Sequence, residues 1–170
     1  MTAQQPHVVF LCTGNAARSV MAGAMMGAHA AHVQVTTAGT HVIEGQPMSW
    51  RTRDAMVEVG VEPVSHRSRQ LRPHDLEADL IVGMAKEHIL YVRRQHPEAA
   101  AKTGTLKRLA RDLPHEPGAL AERVAHLQLD QVELEPWEDV PDQAGGDLEV
   151  FILCDRDLLG LVAELAPRLA

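Results

Sequence analysis

Val8-Val9-Phe10-Leu11 runs without a break into Cys12-Thr13-Gly14-Asn15-Ala16-Ala17-Arg18-Ser19. The first four residues are short, continuous, apolar and rich in β-branching, which predicts a buried strand over His7–Leu11. The residues from Arg18 to Ala31 are dominated by Ala, Met and Gly and predict a helix. A strand, a tight loop holding a thiol, and a helix opening with Arg-Ser describe a pocket for a tetrahedral oxyanion. Loop amides and a helix N-terminus direct positive charge at one point. Arg18 can clamp two oxygens of a phosphate. Such a field favours thiolate over thiol at Cys12 and so makes a nucleophile. The segment implies phosphoryl chemistry through a cysteine.

Outward from this segment, short apolar runs alternate with helical patterns. Val33–Thr36 predicts a second strand, ending at Ala38-Gly39-Thr40. Ser49–Val59 predicts a helix with Gly60 as its C-terminal stop. Residues 62–72 read as polar and irregular. Asp79–Met84 carries a third strand, Lys86–Gln95 a helix closed by Pro97, and Thr103–Leu109 a candidate fourth strand. Gly118–Leu127 predicts a helix, Glu135–Gly146 a loop marked by Pro136, Pro141 and Gly145-Gly146, and Leu148–Leu165 a closing amphipathic helix. The role of residues 113–135 is not readable from the sequence. This alternation predicts an α/β fold of three layers: a central four-stranded parallel sheet, helices on both faces, and a phosphate-binding loop after strand 1. Ligands of such sheets sit beyond the carboxyl ends of the strands, where the cysteine loop lies.

Length and composition bound the function. The 170 residues predict a single domain spanning 1–170. A net charge of −7 argues against a nucleic-acid partner, which needs a basic face. It does not forbid a local anion site. Two cysteines, Cys12 and Cys154, make no disulfide framework. With no leader pattern and no membrane-length apolar run, the expectation is a cytoplasmic protein with no membrane partner. Aromatic residues are only 3% of the chain, so the core is expected to be aliphatic, with Met and Ala filling gaps.

The Cys-x5-Arg-Ser loop after the first strand resembles that of the low-molecular-weight protein tyrosine phosphatases, whose fold and loop are shared by thioredoxin-coupled arsenate reductases. The resemblance extends through Thr37-Ala38-Gly39-Thr40, Gly45 with Pro47, Gly60-Val61, His66-Arg67-Ser68-Arg69-Gln70-Leu71, Asp79-Leu80-Ile81-Val82, Met84 and His88. It reaches Val140-Pro141-Asp142 and Gly146-Asp147. It implies a phosphomonoester hydrolase acting on a phosphotyrosine protein or a small phosphomonoester, with no metal or organic cofactor. Cys12 would form a phosphocysteine. Arg18 and the loop Thr13, Gly14, Asn15, Ala16, Ala17, Arg18 and Ser19 would hold the phosphate. Asp142 would be general acid and then base. Ser19 would bond the thiolate, and Asn15, Thr37 and His66 would support the loop.

Three departures qualify that picture. Ala17 replaces a second cysteine that is frequent in the family. Gln143-Ala144-Gly145 follow the general acid in place of Pro and aromatics. Ile43 stands about where a bulky aromatic is usual. An aryl substrate would lose stacking worth about 0.5–1.5 kcal/mol per aromatic partner.

Other residues carry simpler readings. Asp139 is the alternative general acid. Cys154, in register with Ile152, Leu158 and Leu161, reads as core. His66 reads as a hydrogen-bonding support, and His29 with His32 as surface residues rather than a metal pair. His41 falls near the pocket mouth. Arg51, Arg53, Arg67 and Arg69 read as a solvated face. Two alternative functions remain on the sequence: an arsenate reductase using an external thiol, and a catalytically weak phosphate- or phosphoprotein-binding module.

Overall fold

The apolar run forms β1 (His7–Cys12), one residue longer than predicted, so Cys12 ends the strand itself. The structure, a computed structural model, describes residues 4–170. β1 pairs in parallel with β2 (Gln34–Gly39) on one side and β3 (Leu80–Gly83) on the other. β4 (Thr103–Thr105) adds to β3, giving the order β2-β1-β3-β4. This is the parallel sheet the sequence predicts. Successive side chains of a strand point to opposite faces. Val8, Phe10 and Cys12 accordingly enter one core, and Val9 and Leu11 the other.

The larger core is closed by α1 (Arg18–His29), α2 (Trp50–Glu58), α4 (Leu106–Asp112) and α6 (Leu148–Leu165). Met21, Met25, Met26 and Met56 fill it together with Leu109, Leu158 and Val162. Each such side chain removed from water stabilises the fold by about 1.5–3 kcal/mol. The smaller core lies under α3 (Lys86–Gln95), where Val92 meets Val9, Leu11 and Ile81. α1 crosses β2 closely, because a Cβ on Gly23 would lie 2.5 Å from the Thr37 methyl.

Two sequence expectations need correction. The candidate strand over Thr103–Leu109 stops at Thr105, and α4 begins at once. Thr105 Oγ1 accepts the Arg108 amide as an N-cap, which turns the chain out of the sheet. In α6 the buried stripe is Phe151, Asp155, Leu158, Val162 and Leu165, with a carboxylate in its middle. Cys154 sits beside that stripe, partly buried against the core. The segment after α4 holds α5 (Leu120–His126), whose first residues line a cavity with Pro6, Asp79 and Ala170. Pro6 and Asp79 precede β1 and β3, so α5 lies at the end of the sheet opposite Cys12. No helix among the described residues is long and apolar enough to cross a membrane.

Candidate active site

The loop from Thr13 to Ala17 leaves β1 and closes into α1, and its carbonyls are turned outward. Cys12 O accepts from the Thr40 amide and Thr13 O from the His41 amide. Asn15 O accepts from His66 Nε2 at 2.7 Å and Ser68 Oγ at 2.8 Å. Ala16 O accepts from Thr52 Oγ1. Among the described residues, no amide from Thr13 to Arg18 donates to a protein acceptor, and α1 has no side-chain cap. A peptide whose carbonyl is fixed outward presents its amide inward. The result is a ring of donors at a helix N-terminus, the arrangement that binds tetrahedral anions.

Asn15 makes this possible. Its φ is +50°, a conformation open to few side chains besides Gly, Asn and Asp. Its buried side chain donates to Ser19 Oγ at 3.0 Å and accepts the Arg69 amide at 2.9 Å. Gly39, at the end of β2, is the matching piece on the outer side. A Cβ there would lie 2.5 Å from Thr13 O, so only glycine lets the strand end abut the loop.

Cys12 Sγ lies 3.0 Å from Ser19 Oγ. Ser19 Oγ already accepts from Asn15, so its own proton is free to point at the sulfur. Arg18 is buried at the first position of α1, with Nη1 donating to Val140 O at 2.9 Å. Its Nη2 lies 3.9 Å from Asp142 Oδ2 and 4.0 Å from Glu87 Oε1. Asp142 stands at the mouth, its side chain 59% exposed, with Oδ1 accepting the Ala144 amide. A cleft of about 380 Å³ opens there between Arg18, Glu87, Leu90, Pro141 and Asp142. Asp139 lines the same cleft but is engaged by Lys86. Its carboxylate accepts the Lys86 amide at 2.8 Å and lies 3.3 Å from Lys86 Nζ.

The structure adds residues that the sequence reading did not single out. Arg69 is no solvated cation. It holds buried Asp75 with Nη2 at 2.9 and 3.0 Å, reaches Thr37 O with Nη1, and gives its amide to Asn15. Ser68 and Thr52 are both buried against loop carbonyls. Thr37 enters this network only through its carbonyl, because its methyl packs towards Gly23. His88 is fully buried on α3. Its Nδ1 accepts the Ala85 amide, so Nε2 carries the proton and meets Thr13 Oγ1 at 3.0 Å. Burial first, and then the charge of Arg18, push the His88 pKa down to about 3, so the ring is neutral. Thr13 passes its own proton on to Glu87 at 3.2 Å. An isolated buried Thr such as Thr52 carries no sequence signal, but Ser68, Arg69 and His88 do stand among the residues that carried the resemblance.

The departures have physical counterparts. Ile43 is 74% exposed and walls nothing, and His41 packs edge-on against Tyr91 with ring centres 5.6 Å apart. Gln143 is buried, yet its side-chain amide has no partner among the described residues. The Cys154 thiol is pushed up to about 12, chiefly by burial and then by Asp155, which makes it a poor second nucleophile.

Residues 7–126 match the model of the low molecular weight phosphotyrosine protein phosphatases, a match that ends before Asp142. The chain is 29% identical over 165 residues to a protein-arginine-phosphatase of Geobacillus stearothermophilus, covering 96% of this chain and 95% of that one. It is 37% identical over 103 residues to low molecular weight protein-tyrosine phosphatase A of Mycobacterium tuberculosis, covering 55% of this chain and 61% of that one. Among solved structures, a low molecular weight protein tyrosine phosphatase from T. tengcongensis superposes with TM-score 0.75 at 30% identity, over 94% of this chain and 97% of that one. The arginine phosphatase of G. stearothermophilus gives 0.74 at 29%, over 95% and 90%. With this loop at the head of this sheet, the chain belongs to the low molecular weight phosphotyrosine protein phosphatase family and is a cysteine-dependent phosphatase acting on phosphorylated substrates.

Proposed function

We propose that Cys12, Arg18 and Asp142 carry the reaction and that the substrate is a phosphorylated protein side chain. The observation that carries this reading is the loop around Cys12 whose Cys12, Thr13, Asn15 and Ala16 carbonyls are bonded outward, leaving its amides to the anion. Cys12 sulfur attacks phosphorus in line, and the bond from phosphorus to the leaving atom breaks. Arg18 and the amides hold the three equatorial oxygens as charge spreads over them. Asp142 gives its proton to the leaving atom. The resulting carboxylate takes a proton from water, whose oxygen attacks the phosphocysteine. Sulfur leaves as thiolate, accepting a hydrogen bond from the Ser19 hydroxyl, and phosphate is released.

Two observations favour phosphoarginine over phosphotyrosine as the side chain. A curated relative matched over nearly its whole length is an arginine phosphatase, while the solved structures matched over the whole length include arginine and tyrosine phosphatases alike. The mouth offers two carboxylates, Glu87 and Asp142, and Ile43 supplies no aromatic wall. A guanidinium leaving group is cationic and suits such a rim, whereas an aryl group gains little there. An internal thiol cascade reducing arsenate is disfavoured by the poor nucleophilicity of Cys154.

Steady-state hydrolysis of p-nitrophenyl phosphate and of a phosphoarginine peptide, in chelator and reductant, tests both parts. Cys12→Ser is expected to abolish turnover of both, by about 10⁴-fold or more. Asp142→Asn is expected to slow it by about 10²–10⁴-fold. Retained turnover in Cys12→Ser would end the phosphocysteine reading. A higher kcat/KM on phosphotyrosine than on phosphoarginine peptides would reverse the substrate assignment alone.

A further inference from the structure

We propose that the buried Arg108–Glu138 pair is a positioning device that holds Asp142 in reach of the leaving atom, an inference that rests on the proton-transfer role proposed for Asp142. Glu138 is fully buried and accepts four hydrogen bonds. Arg108 Nε reaches Oε1 at 2.7 Å and Nη2 reaches Oε2 at 2.9 Å. Thr105 Oγ1 donates to Oε1 at 3.0 Å, and the Glu135 amide to Oε2 at 2.6 Å. Arg111 covers the neighbouring Trp137 ring at 4.1 Å, with Arg108 at 5.3 Å from the same ring. Burial would raise the Glu138 pKa, but the hydrogen bonds from Arg108, the Glu135 backbone and Thr105 hold it below the usual range. The pair therefore stays ionised and fixed.

From Glu138 the chain is pinned at each step towards the pocket. Asp139 caps the start of α3 through the Lys86 amide. Val140 N donates to Met84 O at 2.7 Å, and Val140 O receives Arg18 Nη1. Two residues later comes Asp142. Beyond it the bonds are short-range: Ala144 N donates to Asp142 Oδ1, Gly146 N to Gln143 O, and Asp147 caps α6, while the buried Gln143 side chain has no partner among the described residues and Gly145 has φ of +82°. The long-range bonds of this loop thus lie on its N-terminal side, where Glu138 is the deepest anchor. The proline and aromatics that could stiffen the other side are absent from Gln143-Ala144-Gly145. A buried ion pair is weak evidence for stability, since an apolar pair of similar volume often serves as well or better. Its placement at the carboxyl ends of β3 and β4, on the loop that carries the acid, points to position as its use.

The test is the dependence of kcat on leaving-group basicity, using p-nitrophenyl and phenyl phosphate. A poor leaving group needs the proton, whereas p-nitrophenolate departs with less help. The double variant Arg108→Met/Glu138→Gln removes both charges together. Arg108→Lys keeps the charge and loses the two-pronged grip, and serves if the double variant does not fold. In each folded variant kcat on phenyl phosphate is expected to fall about tenfold or more, with about threefold or less on p-nitrophenyl phosphate. The inhibition constant of inorganic phosphate should stay within about twofold, because the anion cradle is untouched. Parent-like leaving-group dependence in a folded variant overturns the positioning role. If Asp142→Asn itself shows no such dependence, the role of Asp142 is what fails, and the positioning role falls with it.

Discussion

On one side of Cys12, the loop from Thr13 to Ser19 has its carbonyls tied to β2, α2 and the 66–69 segment, and Asn15 alone joins three of its supports. On the other side, Asp142 is 59% exposed with one local hydrogen bond, and the Gln143 side chain behind it has no partner among the described residues. The first wall must meet charge that develops on phosphate, which is the same in every substrate. Preorganised donors do this best, since they need not reorganise as the reaction proceeds. The second wall must meet the leaving group, which differs between substrates. The difference teaches that the anion cradle is fixed by its own long-range network, while the wall that carries Asp142 is tied over long range mainly from its N-terminal side.

Breaking the first wall should have the largest effect. Asn15→Ala removes the bonds to Ser19 Oγ and from the Arg69 amide, and it leaves an alanine at φ of +50°. An unsatisfied buried amide and a left-handed alanine together cost about 2–4 kcal/mol. We expect the unfolding free energy from urea melts to be lowered by that amount. Loss of kcat should exceed that of Ser68→Ala, because Ser19 would no longer be oriented towards Cys12 sulfur. Equal kinetic losses in the two variants would mean that Asn15 acts only as scaffold.

A second prediction separates the walls by pH. Each side hides a buried group whose neutral form is favoured by burial: His88 behind Thr13, and Asp155 in the helix that follows the Asp142 loop. His88, pushed to about 3, stays neutral in the folded protein, while the unfolded chain takes up its proton below about 6.5. This contribution is full above 6.5 and is lost as pH falls towards 3. Asp155, pushed up to about 7 by burial, keeps its proton when folded, while the unfolded chain ionises above about 4. That contribution is present below about 4 and is lost as pH rises through 7. The two slopes oppose each other between about 4 and 6.5. Asp155→Asn removes one of them. The variant's stability, relative to the parent, should climb by about 1.4 kcal/mol per pH unit across that window. Urea melts at three pH values check it, and a parallel pair of profiles would show that the Asp155 carboxyl is not held protonated.

These two walls were also unequally legible in the sequence. The cradle is local: strand, Cys12, Arg18, Ser19 and the helix follow one another within a few residues, so spacing alone conveys the site. Four strands and most helices were readable for the same reason, since periodicity is local. What escaped was non-local or ambiguous by period. Leu106-Lys107-Arg108-Leu109 is too short for its period to separate strand from helix, and the Thr105 cap decides it. Arg69 looks like any surface arginine until Asp75 and Asn15 are brought to it by the fold. Asp155 breaks the rule that acids face water, so no amphipathic pattern would put it in the stripe of α6. Glu138 and Arg108 lie thirty residues apart and meet only when the loop closes over α4.

The smallest effect belongs to Glu87, where the two walls touch. Its carboxylate accepts the Thr13 hydroxyl from the cradle and lies 4.0 Å from Arg18 Nη2, beside Asp142. A phosphate held by the same guanidinium would sit within a few ångströms of this negative charge. The side chain is 66% exposed, so water and salt weaken the repulsion without cancelling it at low ionic strength. Glu87→Gln removes the charge and keeps the acceptor for Thr13. The inhibition constant of inorganic phosphate, and KM for p-nitrophenyl phosphate, should each fall by about two- to fivefold at low salt. Parent and variant should converge near about 1 M salt, where charges beyond about 3 Å are screened. For a phosphoarginine peptide the sign should reverse, because the cationic leaving group loses a partner that the dianion was glad to lose. A shift of the same sign for both substrates would show that Glu87 senses only the phosphate and leaves the leaving group to Asp142.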